Sequence, residues 1–210
     1  YSPNGDTLAL TFDNEIRILS SEDGHEISRF EARGYLGRPM FLSDDELMVP
    51  IEGMGFTTLS LADGSIVDRI EAPRVNADIT AINDARTHLA YRDGDYVRVV
   101  ELATGETIYE QTGPSVLSLA LDPDASRLAY SGFDPAIHVE PLVEGEEGLQ
   151  LNGTFENVLA VNFVGEDGLL SYGEDILLWN VSPGGVPQLG GIPIRERQWG
   201  YSLSPDERWL

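Results

Sequence analysis

The chain has 210 residues, 36 of them Asp or Glu against 13 Lys or Arg, and a formal net charge of -23. It contains no cysteine, which excludes disulfide frameworks, zinc–thiolate sites and thiol nucleophiles, and no apolar run reaches the roughly 20 residues a membrane-spanning helix needs. With every basic residue an arginine, so acidic a surface disfavours nucleic acid and anionic membranes, whose binding depends on neutralising phosphates; it fits either a solvated acidic coat, as on salt-adapted proteins, or a surface selected for a basic partner.

From the N-terminus, turn signals and strand signals alternate. Ser2-Pro3-Asn4-Gly5 reads as a turn, followed by Leu8, by Ile16-Arg17-Ile18 with every second residue on one face, and by the hairpin glycine of Asp23-Gly24. The pattern restarts at Ser43-Asp44-Asp45, with Leu47 and Asp63-Gly64, and again at Asn83-Asp84-Ala85, with Leu89, Val97-Arg98-Val99 and Thr104-Gly105. A fourth round runs from Asp122-Pro123-Asp124 through Leu128 and Ile137-His138-Val139 to Gly145, and a fifth from Val164-Gly165-Glu166-Asp167 through Leu169 to Gly184. Ser204-Pro205-Asp206, with Leu210, opens a sixth. No window carries a helical stripe; period-two alternation is the strand signal.

Two independent markers share one period. The turn segments begin 41, 40, 39, 42 and 40 residues apart, and Gly24, Gly64, Gly105, Gly145 and Gly184 are spaced 40, 41, 40 and 39 apart. Glycine accepts the positive φ of a tight hairpin without steric cost. Each unit of about 40 residues therefore reads as four short antiparallel strands, one blade of a β-propeller. The expected fold is an all-β propeller with about five blades and part of a sixth over residues 1–210. Because the repeat is cut at both ends, the chain is expected to be a fragment of a longer protein with about seven blades and flanking domains.

The repeats resemble the WD-repeat (WD40) family over essentially the whole chain. Leu203-Ser204-Pro205-Asp206-Glu207-Arg208-Trp209-Leu210 and Tyr1-Ser2-Pro3-Asn4-Gly5-Asp6-Thr7-Leu8-Ala9 look like that family's turn between the first two strands of a blade. Tyr96 to Glu106 is similar to its third strand and following hairpin, and Ile176-Leu177-Leu178-Trp179-Asn180-Val181 comes nearest its signature dipeptide, with Asn180 where Asp would stand. The Gly-His pair that opens a repeat is absent, so the resemblance implies that the family's His–Ser/Thr–Asp–Trp hydrogen-bond network is not formed. Quinoprotein-type repeats, Tol-type propellers and the caps of prolyl oligopeptidases share such turns and imply the same fold.

Catalytic chemistry finds little support in the residues. His25 follows a hairpin glycine, His88 and His138 lie in strand-like runs, and no Gly-x-Ser-x-Gly elbow is present. Most of the pairs Asp44/Asp45, Asp93/Asp95, Asp122/Asp124 and Glu166/Asp167 fall in expected turns, where Asp caps its own backbone; calcium at one such turn is the alternative reading, but no EF-hand loop, phosphate-binding loop or zinc spacing occurs. No catalytic, cofactor or metal residues are expected.

The resemblance implies that the connections between blades and the loops between second and third strands share one face. The connections carry Arg33, Tyr35, Arg38, Arg74, Arg195, Arg197 and Trp199; the loops carry Phe12, Met54, Phe56, Phe133 and Tyr172. Arginine and aromatic residues are enriched at interface hot spots, though such arginines can equally pair with neighbouring carboxylates. The expected function is a protein- or peptide-binding scaffold within a larger regulatory or signalling chain, cytoplasmic, with no nucleic-acid or membrane partner. The alternatives are a propeller hydrolase, lyase or quinoprotein-like enzyme with its site at the central tunnel, and a purely structural support for a neighbouring domain.

Overall fold

The computed structural model describes residues 1–193 except 13, 113–114, 144, 153–156, 174 and 183–187; for 188–193 it describes the backbone. Among the described residues there is no helix, and the strands form five sheets in which sequence neighbours are sheet neighbours. The first sheet holds β1 (Thr7–Phe12), β2 (Glu15–Ser20) and β3 (Glu26–Glu31); the second holds β4 (Met40–Phe41), β5 (Glu46–Ile51), β6 (Gly55–Ser60) and β7 (Ile66–Glu71). The third comprises β8 (Val75–Ile82), β9 (His88–Asp93), β10 (Tyr96–Glu101) and β11 (Thr107–Thr112), and the fourth β12 (Val116–Leu121), β13 (Arg127–Gly132), β14 (Ala136–Pro141) and β15 (Leu149–Asn152). The fifth comprises β16 (Ala160–Val164), β17 (Gly168–Tyr172), β18 (Asp175–Asn180) and β19 (Gln188–Pro193). The chain divides into two compact units, residues 1–80 with 91–94, and residues 81–90 with 95–210.

The glycine marker is explained by local geometry. Gly24, Gly64 and Gly105 have φ of 74°, 73° and 71°. Each donates its N–H to the carbonyl four residues back, on Ser20, Ser60 and Glu101, at 2.8–3.0 Å. The oxygen of the preceding Asp23, Asp63 or Thr104 accepts the N–H two residues on, at 3.0–3.2 Å. This is the local capping that makes Asp-Gly and Thr-Gly turn dipeptides. Each of these hairpins carries a bulge at Ile18/Leu19, Thr58/Leu59 or Val99/Val100, which absorbs the extra residue.

The other marker is a turn built around a buried polar residue. Asn83 Oδ1 accepts the N–H groups of Thr87 and His88, both at 2.9 Å. Asp122 accepts from Arg127 N–H at 2.9 Å, Ser126 Oγ at 2.7 Å and Arg127 Nε at 2.9 Å. Ser2 Oγ accepts Thr7 N–H at 3.0 Å. All three are buried, and each turn sets its fourth residue at positive φ: Gly5, Arg86 and Ala125.

In every sheet the two kinds of turn lie at the same end, because a backbone bond joins them: Ser21 N–H to Asp6 O, Leu61 to Asp45, Leu102 to Thr87, Leu142 to Ser126 and Val181 to Asp167, at 2.7–2.9 Å. The interstrand loops at the opposite end of the first two sheets meet the residues following the outer strands, Ala32 with Asn14 O and Ala72 with Met54 O.

The cores lie between the faces of successive sheets. In the first unit, Ala9, Ile16 and Ile18 pack on Leu36, Phe41, Leu47, Val49, Ile51 and Leu59; alternation turns Arg17 out while its neighbours go in. In the second, Ala120, Ala129, Ile137, Val139 and Leu151 pack on Val158, Val161, Leu169, Leu177, Trp179 and Val181, each large side chain contributing about 1.5–3 kcal/mol. Trp179 is fully buried, and its Nε1 donates to Ser171 Oγ at 2.8 Å. The bond matters because a buried indole N–H is costly to leave unpaired. Burial peaks on the second strand of the four-stranded sheets (β5, β9, β13, β17) and fades on outer strands β3, β7 and β11, which are mostly exposed. No helix among the described residues is long and apolar enough to cross a membrane.

Candidate binding surface

The end of the first unit opposite the tight turns carries the segment between β3 and β4. Its backbone is held from several sides. Leu36 bridges Ile51 and is buried. Gly37 N–H donates to Pro50 O at 2.9 Å, Glu52 N–H donates to Tyr35 O at 2.9 Å, and Thr11 Oγ1 donates to Gly37 O at 3.2 Å. Gly37 passes so close to β8 that a Cβ would stand 1.9 Å from Ala77 O, and Gly34 takes φ 111°. Anchored this way, the loop sends Leu36 into the core and leaves Arg33, Tyr35 and Arg38 exposed.

The next connection, between β7 and β8, is tied to this loop. Tyr35 Oη donates to Asp78 Oδ2 at 2.9 Å, and Ala77 N–H donates to Glu52 Oε2 at 2.8 Å. The hydrogen bond to Asp78, together with that carboxylate's charge, holds the Tyr35 phenol above its usual range, so it stays a donor at neutral pH. Arg74 donates its main-chain N–H to Asp93 Oδ1 at 3.1 Å, with its Nε 3.9 Å from the same oxygen. Asp93 is 3% exposed and Arg74 58%, so solvent screens the pair and its geometric role outweighs its Coulomb energy.

Four of the sequence-predicted residues, Arg33, Tyr35, Arg38 and Arg74, therefore share one end of one unit, linked through Tyr35–Asp78 and Glu52–Ala77. Arg195, Arg197 and Trp199 lie outside the described residues. Among the residues assigned to these loops, Phe12, Met54 and Phe133 are exposed, and Arg17 lies over the Phe12 ring at 5.0 Å. Phe56 and Tyr172 are corrected from loop to core: Phe56 sits in β6 against the edge of Tyr91 at 5.0 Å, and Tyr172 ends β17, buried.

Sequence reasoning missed Glu52, Asp78 and Asp93, which organise this end. Asp93 was grouped with Asp95 as a turn pair; it reaches instead 19 residues back to Arg74. The signal available was its place as the last alternating residue of a strand, on the buried face.

The histidines take part in local contacts. His25 Nδ1 is 2.6 Å from Asp23 in an exposed turn, His88 Nδ1 lies 2.9 Å from Thr87 Oγ1, and His138 stacks on Tyr130 at 4.8 Å with Asp134 at 3.4 Å. Among the described residues no three His, Asp or Glu side chains are grouped to hold a metal ion. No protein-family model matches the chain, and no curated protein matches its sequence.

Proposed function

We propose that the sheets are blades of a WD-repeat-type propeller and that the chain is a binding scaffold, presenting the end with Arg33, Tyr35, Arg38 and Arg74 to a protein or peptide partner. The propeller reading is supported by five consecutive up-and-down sheets on a 40-residue period, by cores formed between successive sheet faces, and by outward-fading burial. In the second unit, first strands β12 and β16 run close together, and Val161 N–H donates to Ser118 Oγ at 3.1 Å. That is the relation expected of inner strands near an axis.

The observation that carries the binding reading is the loop before β4, whose backbone is locked while its arginines and tyrosine stay exposed. A preorganised backbone loses little freedom on binding, which raises affinity for a given contact area. An enzymatic propeller would need histidines and carboxylates converging at inner strand ends; the described histidines lie instead in a turn, at the start of β9 and in β14.

The test is selection of displayed random 12-residue peptides on the immobilised chain, followed by hydrogen-exchange footprinting of the bound complexes. The expected result is protection across residues 33–38 and loss of binding in the Arg33→Ala/Tyr35→Ala/Arg38→Ala variant. An Asp44→Ala/Asp45→Ala control at the opposite end should bind normally. Absence of any enriched peptide, or footprints confined to the outer strands, would refute the reading.

A further inference from the structure

Resting on that binding reading, we propose that the segment this end captures is acidic, a peptide whose carboxylates are taken by Arg33 and Arg38. The argument is one of donors and acceptors. The carboxylates that organise this end are already engaged: Glu52 by Ala77 N–H, Asp78 by the Tyr35 hydroxyl and Asp93 by Arg74 N–H. Arg33 and Arg38, by contrast, have no ion pair and no side-chain hydrogen bond among the described residues. The end therefore has hydrogen-bond donors to spare, and a matching segment must bring acceptors. A guanidinium offers a planar fork that fits a carboxylate bidentately, with charge assistance. A basic segment would meet the two positive charges of Arg33 and Arg38 opposing it.

The net charge of -23 works against an acidic partner at long range, and the Debye length decides which effect wins. At about 0.01 M salt it is roughly 30 Å, so an approaching peptide meets the whole acidic chain; at 0.15 M it is about 8 Å, so contact with the arginine pair dominates; at 1 M, near 3 Å, both effects fade. Affinity for the captured segment should therefore peak at intermediate salt. A basic segment would bind ever more tightly as salt falls.

The test uses the displayed random 12-residue library at about 0.15 M salt, reading the composition of the enriched pool. The expected pool is at least twofold richer in Asp and Glu than the input. Its best members should bind at least tenfold more weakly to Arg33→Glu/Arg38→Glu and show the salt maximum. The reversed variant should enrich Lys and Arg in its own pool. Arg33→Gln/Arg38→Gln, with far-UV circular dichroism on both variants, separates loss of charge from misfolding. A pool that footprints on residues 33–38 but is neutral or basic, or an acidic pool indifferent to charge reversal, overturns this inference and leaves the binding reading standing. No enriched pool at all overturns both.

Discussion

Replacing Asp122 tests the idea that a buried polar residue builds the turn between β12 and β13. Asp122 is 1% exposed and accepts three hydrogen bonds, two of them from Arg127. Arg127 in turn reaches the carbonyls of Val181 and Glu166 and stacks its guanidinium over Phe163 at 5.3 Å, so the turn also ties the fourth sheet to the fifth. In Asp122→Ala the Arg127 N–H loses its acceptor, which costs about 1–3 kcal/mol, and the charged bond to Nε, worth about 1.5–3 kcal/mol, disappears. Partial exposure of Arg127 lets water recover some of this, so about 3–4 kcal/mol is expected in all. Asp122→Asn should cost only about 1 kcal/mol, because an amide oxygen can still accept the backbone donor; Asn83 does this at the same place in the third sheet. Urea denaturation read by circular dichroism is the assay. With m near 2 kcal/mol/M, the alanine variant should lower the midpoint by about 1.5–2 M and the asparagine variant by about 0.5 M. An alanine variant within 1 kcal/mol of wild type, or an asparagine variant as damaging as alanine, would refute the reasoning.

Gly37→Ala should lower stability by about 3 kcal/mol or more, since its Cβ would collide with the Ala77 carbonyl at 1.9 Å and part the loop from β8. Gly105→Ala, at φ 71° with open space around it, should cost only about 1–2 kcal/mol; equal shifts in thermal midpoint would contradict the packing argument. Trp179→Ala should cost about 3–5 kcal/mol, whereas Trp179→Phe should cost less, a difference readable in the same urea assay. The Asp23 carboxyl, held at about 2 first by its hydrogen bond with His25, should titrate there in a carbon-detected NMR experiment and move towards 3.8 in His25→Ala. Because the folded value is depressed, its contribution is present above the unfolded value near 3.8 and is lost as pH falls through about 2.

The period, the strands and the tight turns were legible because each is encoded within a few residues. Asp63-Gly64 makes its turn through a carbonyl four residues back and an N–H two residues on, and nothing distant is needed. Alternation likewise placed Ile16 and Ile18 inside and Arg17 outside. The candidate end was legible only in part. Gathering Arg33, Tyr35, Arg38 and Arg74 at one end was implied by the resemblance of the repeats to propeller blades, not by any contact readable in the sequence. Which of them are engaged was not legible, since Tyr35 meets Asp78 across 43 residues and Arg74 meets Asp93 across 19.

By itself, then, the sequence determined a repeating all-β chain and its turn chemistry. Hydrogen bonds within one turn and the two-residue period of a strand are local physics. Only the tertiary structure decided that Phe56 and Tyr172 belong to the core, that Asp93 and Asp122 are buried acceptors, and that Gly37 is glycine because β8 leaves no room for a Cβ. Those facts depend on segments far apart in the chain coming within a few ångströms, and no pattern along the sequence measures that distance.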